Sequence, residues 1–363
     1  VTLPGPAPAE PTWPDLLHAL LSGEDLTAGQ TNWAMNQIMS GVASPARVAA
    51  FVTALRAKGE TAGEIGGMVA SMLEFALPVQ ADATLLAAAV DTCGTGGDRS
   101  HTVNLSTMAA IVVAAAGVPV VKHGNRAASS SCGSADLLEE LGIVIELSPA
   151  GVASTLTEAG IAFCFARAFH PAMRHVGAVR AELGVQTAFN ILGPLTNPAR
   201  PGAQALGVAD ARLAPVMAQV LADRGTRALV FRGDDGLDEL SPSAPSTIWV
   251  TGGDGGLRVE RFDPRDVGID VPDLQALRGA DAPFNAGITR ALLAGKPGPV
   301  RDAVLLAAAA AIVAAEGPTA EPVTEQIRTR LERAAAAIDS GAAAALLQRW
   351  ATASQSAGAG PIG

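Results

Sequence analysis

Short apolar runs at residues 87–91, 118–121, 144–147, 161–166 and 228–232 alternate with helical patterns at 104–116, 135–141, 149–160 and 211–224. This alternation is the strongest constraint on the fold. Each run is too short for a buried helix, and the helical stretches fall between the runs, as crossovers of a parallel sheet do. The pattern predicts an α/β domain with a mostly parallel central sheet flanked by helices. Residues 247–262, around GGDGG, read as an antiparallel excursion, and residues 302–350 return to alanine-rich helices. Before the first run the character differs. From Trp13 to about Ala76 apolar residues such as Leu16, Leu17, Leu20 and Leu21 recur at helical spacing, and Thr61 with Glu64 forms a capping-box pair. A small all-helical domain therefore precedes the α/β domain, with the change near Pro78 and flexible tails expected at 1–11 and 351–363.

Composition excludes some functions. The formal net charge is −10 and no basic run occurs, which disfavours nucleic acid and anionic membranes as partners. The longest apolar run, residues 303–315, is shorter than the ~20 residues of a membrane span. Three cysteines, Cys93, Cys132 and Cys164, show no metal-ligand spacing and fit a reducing cytoplasm. The first residues, VTLPGPAPAEP, show no secretion signal, so a cytoplasmic location is expected.

Four stretches carry chemistry. In DTCGTGGDRSHTVNLST, residues 91–107, a strand feeds a glycine-rich turn and then a helix start. Glycines let backbone N–H groups converge, and a helix start adds partial positive charge, so this stretch is suited to an anion such as phosphate. A plain structural turn with Asn104, Ser106 and Thr107 as caps is the alternative; Ser106 is also within reach of a metal role. In KHGNRAASSSCGSAD, residues 122–136, Lys122 and Arg126 place cationic charge at a strand's C-terminal end, where ligands of open α/β sheets gather, and Ser129, Ser130 and Ser134 add hydroxyls. Lysine is otherwise found only at 58 and 296. In GDDGLDEL, residues 233–240, four carboxylates fall within six residues, which repel unless a cation such as Mg²⁺ sits among them; a solvated acidic turn is the alternative. In residues 169–201, Arg180 is a candidate partner for a substrate carboxylate, or a plain surface arginine, and His170 and His175 lack the third ligand of a metal site. Together the four stretches point to a phosphate-rich substrate, Mg²⁺ and a second substrate bearing a carboxylate.

GTGGD with TVNLST, KHGNRAASS, the VRAELG-to-GPLTNP segment and GLDE occur in this order, and the chain resembles the anthranilate phosphoribosyltransferase family from its helical start to about Trp350. The resemblance implies a small helical domain, residues 12–76 with 174–193 contributed later, hinged to an α/β phosphoribosyl-binding domain of residues 77–173 and 194–350. It also implies a homodimer. The activity it implies is transfer of the phosphoribosyl group of phosphoribosyl pyrophosphate (PRPP) to anthranilate, with two Mg²⁺ ions. By this resemblance Gly94, Gly97, Asp98 and Thr102 line the PRPP site. Asn104, Leu105, Ser106 and Thr107 hold its pyrophosphate. Lys122, His123, Gly124, Asn125, Arg126, Ala127, Ala128, Ser129, Ser130 and Ser134 wrap phosphates and ribose. Ser106, Asp238 and Glu239 bind metal. Gly94, His123, Asn125, His170 and Arg180 contact anthranilate, and Lys122, Asn125 and Arg180 are the catalytic candidates. Arg99, Arg167, Gln186 and Arg232 stand where many relatives have other residues. A pyrimidine nucleoside phosphorylase and a non-catalytic nucleic-acid-binding paralogue of the same fold remain the alternatives.

Overall fold

The computed structural model describes residues 10–127, 131–253 and 256–359. They form two units. One comprises the residues up to Phe75 together with Ala172–Leu192; the other comprises Ala76–Pro171 and the residues from Gly193 onward.

The first unit is helical, as the leucine spacing predicts. Helices Trp13–Leu21, Ala28–Met39, Pro45–Lys58 and Ala62–Glu74 are joined later in the chain by Arg174–Leu183. Sequence sets their starts. Thr27 with Gln30 and Thr61 with Glu64 form reciprocal capping boxes, and Pro45 follows the Ser44 cap. Leu16, Met35, Ile38, Phe51, Leu55, Ile65 and Met68 are fully or almost fully buried between them.

The second unit is built on seven strands: β1 (Val90–Gly94), β2 (Val120–Gly124), β3 (Ile161–Phe165), β4 (Ala203–Gly207), β5 (Arg227–Gly233), β6 (Ser246–Thr251) and β7 (Arg258–Phe262). Their order is β3-β2-β1-β4-β5-β6-β7. The first five pair in parallel, and β6 and β7 add antiparallel, matching the excursion expected at 247–262. Helices Leu105–Ala115, Pro149–Ala159 and Leu213–Asp223 cross between parallel strands, and Pro299–Glu316 packs on β4, β5 and the helix Leu105–Ala115. Nearly every residue from 303 to 314 in that last helix is buried, most of them alanine, whose small side chain lets helix and sheet approach closely. After β2 and β3 on one side of β1, the chain returns to place β4 on the other. The C-terminal ends of β1 and β4 therefore border the point where strand order reverses, the usual ligand crevice of an open parallel sheet.

Two expectations are corrected. Residues 144–147 form no strand: the Val144 N–H donates to Ser354 Oγ at 3.1 Å, so a C-terminal helix, not a sheet edge, satisfies this backbone. That helix, Ala342–Gly358, includes residues 351–358, where the sequence predicts a flexible tail; Ala353 and Ser354 are buried against the fold. The strand β4, AQALG, has no strong β-forming pattern and is not among the runs that the sequence predicts.

Candidate active site

β1 ends in the turn Gly94–Asp98, and the helix Leu105–Ala115 follows. The turn is tight: Gly96, Gly97, Arg99 and His101 all have positive φ. At Arg99 (φ 61°) a side chain occupies a conformation that favours glycine.

The acidic segment after β5 lies across the ends of β1 and β4. Gly94 and Gly207 are register partners. A Cβ at Gly94 would meet Asp238 Oδ2 at 2.3 Å, and one at Gly207 would meet the Asp238 carbonyl oxygen at 1.7 Å. Two glycines side by side are thus what lets Asp238 and Glu239 rest on the sheet. Asp238 Oδ2 accepts from the Gly96 N–H at 2.6 Å, and the Ser106 N–H faces Glu239 and favours its carboxylate form. Burial first, then the neighbouring Glu239 and Asp98 carboxylates, push Asp238 well above the usual carboxylate range. Burial and Asp98 push Glu239 up to about 8, against the pull of Lys122. Asp98 Oδ2 is buried without a hydrogen-bond partner. A crowded, oxygen-only set with an unpaired buried carboxylate oxygen fits a hard divalent cation such as Mg²⁺. Among the described residues no three His, Cys, Asp or Glu side chains already converge on one coordination point, so the fit rests on Asp238 and Glu239 with oxygens from Ser106 and a ligand.

Lys122 lies in the middle of β2 with only 2% of its surface exposed. Its Nζ donates to the Thr92 carbonyl and to Ser106 Oγ, the latter at 3.2 Å. Burial pulls the ammonium below the ordinary lysine range, while Asp91 and Glu239 hold it up. The lysine charge therefore sits behind the helix start, touching it through Ser106. Arg126 is also engaged: it pairs with Asp136 at 3.1 Å and with Glu139, 2.9 Å from Nη2 to Oε1, and lies 5.7 Å from the centre of the Phe165 ring. Ser134 Oγ donates to the Asn125 carbonyl at 3.2 Å, and the Ala127 N–H donates to Asp136 at 3.0 Å. Gly124 makes room for Ser134, whose Oγ would lie 2.2 Å from a Cβ there. Asn125 is exposed at the loop's start. Ala128, Ser129 and Ser130 lie outside the described residues.

The helix start differs from the open amide cradle expected from sequence. Leu105 N–H donates to the Val103 carbonyl at 2.7 Å and Thr107 N–H to Asn104 at 3.0 Å, while Ser106 N–H faces Glu239. Unpaired donor capacity resides instead in hydroxyls: Thr107 Oγ1 is buried without a partner. Thr102 bridges backbone to backbone with Arg278.

His123 and His170 form a second group, with ring centres 5.1 Å apart. His123 Nδ1 lies 3.0 Å from the Gly193 carbonyl, and His170 Nε2 lies 3.0 Å from that of Thr196. A carbonyl only accepts, so Nδ1 of His123 carries the proton and Nε2, buried and unpartnered, is a free acceptor. Burial, with His170 adding repulsion, lowers His123 to about 3; burial lowers His170 to about 4. Both are neutral at pH 7.

Sequence reasoning missed what anchors this group. Buried Asp91 accepts from Asn197 Nδ2 at 2.9 Å and from the His123 N–H at 3.1 Å, and Gln204 donates to the Pro194 carbonyl at 2.6 Å. The segment 194–198 containing Asn197 is visible as a rigid turn; its partners on β1, β2 and β4 are not. The structure thus gathers the predicted residues of β1, β2, the helix start and the acidic segment within one unit. Arg180 is exposed on the helix Arg174–Leu183 of the other unit. Arg232 donates through Nε to the Ala209 carbonyl at 2.8 Å.

Comparison with known proteins sharpens this reading. Residues 14–76 match the helical bundle domain of a glycosyl transferase family, and residues 86–344 match its a/b domain. An anthranilate phosphoribosyltransferase of Frankia alni is 69% identical over 96% of this chain and 98% of its own length. One of Salinispora arenicola is 58% identical over 94% and 96%. Among solved structures, the anthranilate phosphoribosyltransferase of Thermus thermophilus superposes with a TM-score of 0.86 at 42% identity, covering 94% of this chain and 99% of that one. The Saccharomyces cerevisiae enzyme in complex with PRPP and Mg superposes with a TM-score of 0.84 at 27% identity, covering 95% and 98%.

Proposed function

This chain belongs to the anthranilate phosphoribosyltransferase family, and from that premise we infer how its own residues serve the reaction. The enzyme is a pentosyltransferase of tryptophan biosynthesis: it transfers the phosphoribosyl group of PRPP to the amine of anthranilate, giving N-(5-phosphoribosyl)anthranilate and pyrophosphate. The observation that carries the site assignment is the acidic pair Asp238–Glu239 resting on Gly94 and Gly207 beside the helix start.

In this reading the C–N bond forms at ribose C1 as the C1–O bond to pyrophosphate breaks. Negative charge develops on the departing diphosphate. Ser106, Asp238 and Glu239 would hold two Mg²⁺ ions, which supply charge neutralisation for the leaving group when bound. Lys122 adds its charge from behind, through Ser106 Oγ, and keeps the Glu239 carboxylate ionisable. Thr107 Oγ1 supplies a hydroxyl and Asp98 with the glycine turn frames the diphosphate. Arg126, held by Asp136 and Glu139, acts chiefly by shaping the phosphate-and-ribose loop. Neutral His123 offers Nε2 as an acceptor complementary to an amine N–H. Arg180 would bind the anthranilate carboxylate, with Asn125 and His170 beside the acceptor. No side chain here is an evident general base, and an aromatic amine needs none before bond formation; the proton its nitrogen sheds once the C–N bond is made leaves with the pyrophosphate or to water.

The reading includes a homodimer and a cytoplasmic location; among the described residues no helix is long and apolar enough to cross a membrane. Loss of anthranilate fluorescence with PRPP and Mg²⁺, abolished by a chelator, tests it. Turnover of thymidine with inorganic phosphate instead would overturn it in favour of a phosphorylase.

A further inference from the structure

Asn104 stands at the cap position of the helix Leu105–Ala115, and asparagine is among the best capping residues, yet its side chain makes no capping hydrogen bond. It turns elsewhere. Its Nδ2 donates to the Cys132 carbonyl at 3.0 Å, and its Oδ1 accepts from Asn285 Nδ2 at 2.9 Å. Asn285 is 1% exposed, in the first turn of the helix Ala282–Leu293, 181 residues further along the chain. Its own Oδ1 accepts from the Ala280 N–H at 2.9 Å, and its side chain also contacts the Cys132 thiol.

Each amide in this chain fixes the next. The Ala280 N–H can only donate, so Oδ1 of Asn285 faces it and Nδ2 faces Asn104. That in turn makes Asn104 present oxygen to Asn285 and nitrogen to Cys132. The same segment grips the glycine-turn loop through its backbone: Val103 N–H donates to the Leu277 carbonyl at 2.9 Å and Gly279 N–H to that of His101 at 2.8 Å. Gly279 is packed so closely that a Cβ would lie 3.0 Å from the Thr102 carbonyl oxygen. The stretch 98–104, which the functional reading assigns to PRPP, is therefore tied to the backbone at Cys132, just before Ser134, through one buried side chain outside both.

We propose that Asn285 is a positioning residue for PRPP: by fixing the amide of Asn104 it locks the backbone at Cys132, just before Ser134, to the helix start that faces the diphosphate. This rests on the functional reading above. Asn285→Asp keeps the acceptor for Ala280 and removes the donor to Asn104. Asn104 must then turn its amide over, and the hydrogen bond from Asn104 to the Cys132 carbonyl is lost.

The test is steady-state kinetics with PRPP, anthranilate and Mg²⁺. Asn285→Asp is expected to raise KM for PRPP about tenfold, the effect of one buried hydrogen bond. KM for anthranilate at saturating PRPP stays within about twofold, since the acceptor residues are untouched. In the Asn104→Ala background the same substitution should add little, because the two residues act through one link. Asn285→Ser, which also cannot hold the Asn104 amide, gives the same split and decides the matter if Asn285→Asp does not fold. An unchanged KM for PRPP, additive effects with Asn104→Ala, or a parallel rise in both KM values would overturn the proposal. Failure of the wild-type protein to transfer phosphoribose would instead overturn the functional reading.

Discussion

Replacing Gly207 by alanine would place a methyl carbon 1.7 Å from the Asp238 carbonyl oxygen, 2.3 Å from its carbonyl carbon and 3.1 Å from the Glu239 nitrogen. Non-bonded carbon and oxygen keep roughly 3 Å apart or more, so strand end or acidic segment must move by more than about 1 Å. Both are backbone, and neither can swing aside as a flexible side chain would. Metal ligation tolerates about 0.2 Å, and a displacement of about 1 Å at a catalytic site costs on the order of a hundredfold in rate. Overpacking of this kind costs about 1–3 kcal/mol in stability, so the protein should still fold. A Mg²⁺ titration of the fluorescence assay on Gly207→Ala should show a raised half-saturating concentration and about a hundredfold loss of kcat/KM. Gly66→Ala, in an open position of the helix Ala62–Glu74, is the control: it should gain about 0.5–1 kcal/mol with unaltered activity. A Gly207→Ala enzyme with normal Mg²⁺ response would refute the claim that the acidic pair works from the position it occupies here.

Arg180→Ala should raise KM for anthranilate at least tenfold while KM for PRPP changes little; an equal loss for both substrates would contradict its assignment to the acceptor carboxylate. Arg99→Gly relieves a positive φ and should stabilise the protein by about 0.5–1 kcal/mol in urea unfolding, and a loss of stability would count against strain at that residue. His123 and His170, lowered to about 3 and about 4, stay neutral through the neutral range. Their folded values lie below the unfolded value of 6.5, so the stability they contribute is present above that value and is lost as pH falls toward 4. Flat imidazole proton shifts for both residues between about pH 5 and 8 would agree; a titration near 6.5 would show that they are not buried as described.

Much of the site is written locally. The turn after β1, the helix start, the polar stretch after β2 and the acidic segment after β5 each join adjacent residues, so strand, turn and charge are visible together. What escaped the sequence depends on distant partners. Arg126 reads as a phosphate-binding cation, but Asp136 and Glu139, turned toward it by the loop, take its charge. Lys122 reads as a free ammonium until the Thr92 carbonyl and Ser106 are seen around it. The helix-start amides look open until Glu239 and the local turn fill them. β4 carries alanine, glutamine and glycine because it is covered on both faces and abutted by the acidic segment, so its pattern resembles a loop. Residues 144–147 have strand-like composition, but Ser354 of the helix Ala342–Gly358 takes the Val144 N–H.

The most direct test of the account is a crystal structure with PRPP bound and Mn²⁺ in place of Mg²⁺, read by anomalous scattering. The account predicts metal density on Asp238 and Glu239, with the diphosphate between the turn 94–98 and residues 104–107. Metal elsewhere, or a diphosphate seated away from both segments, would contradict it.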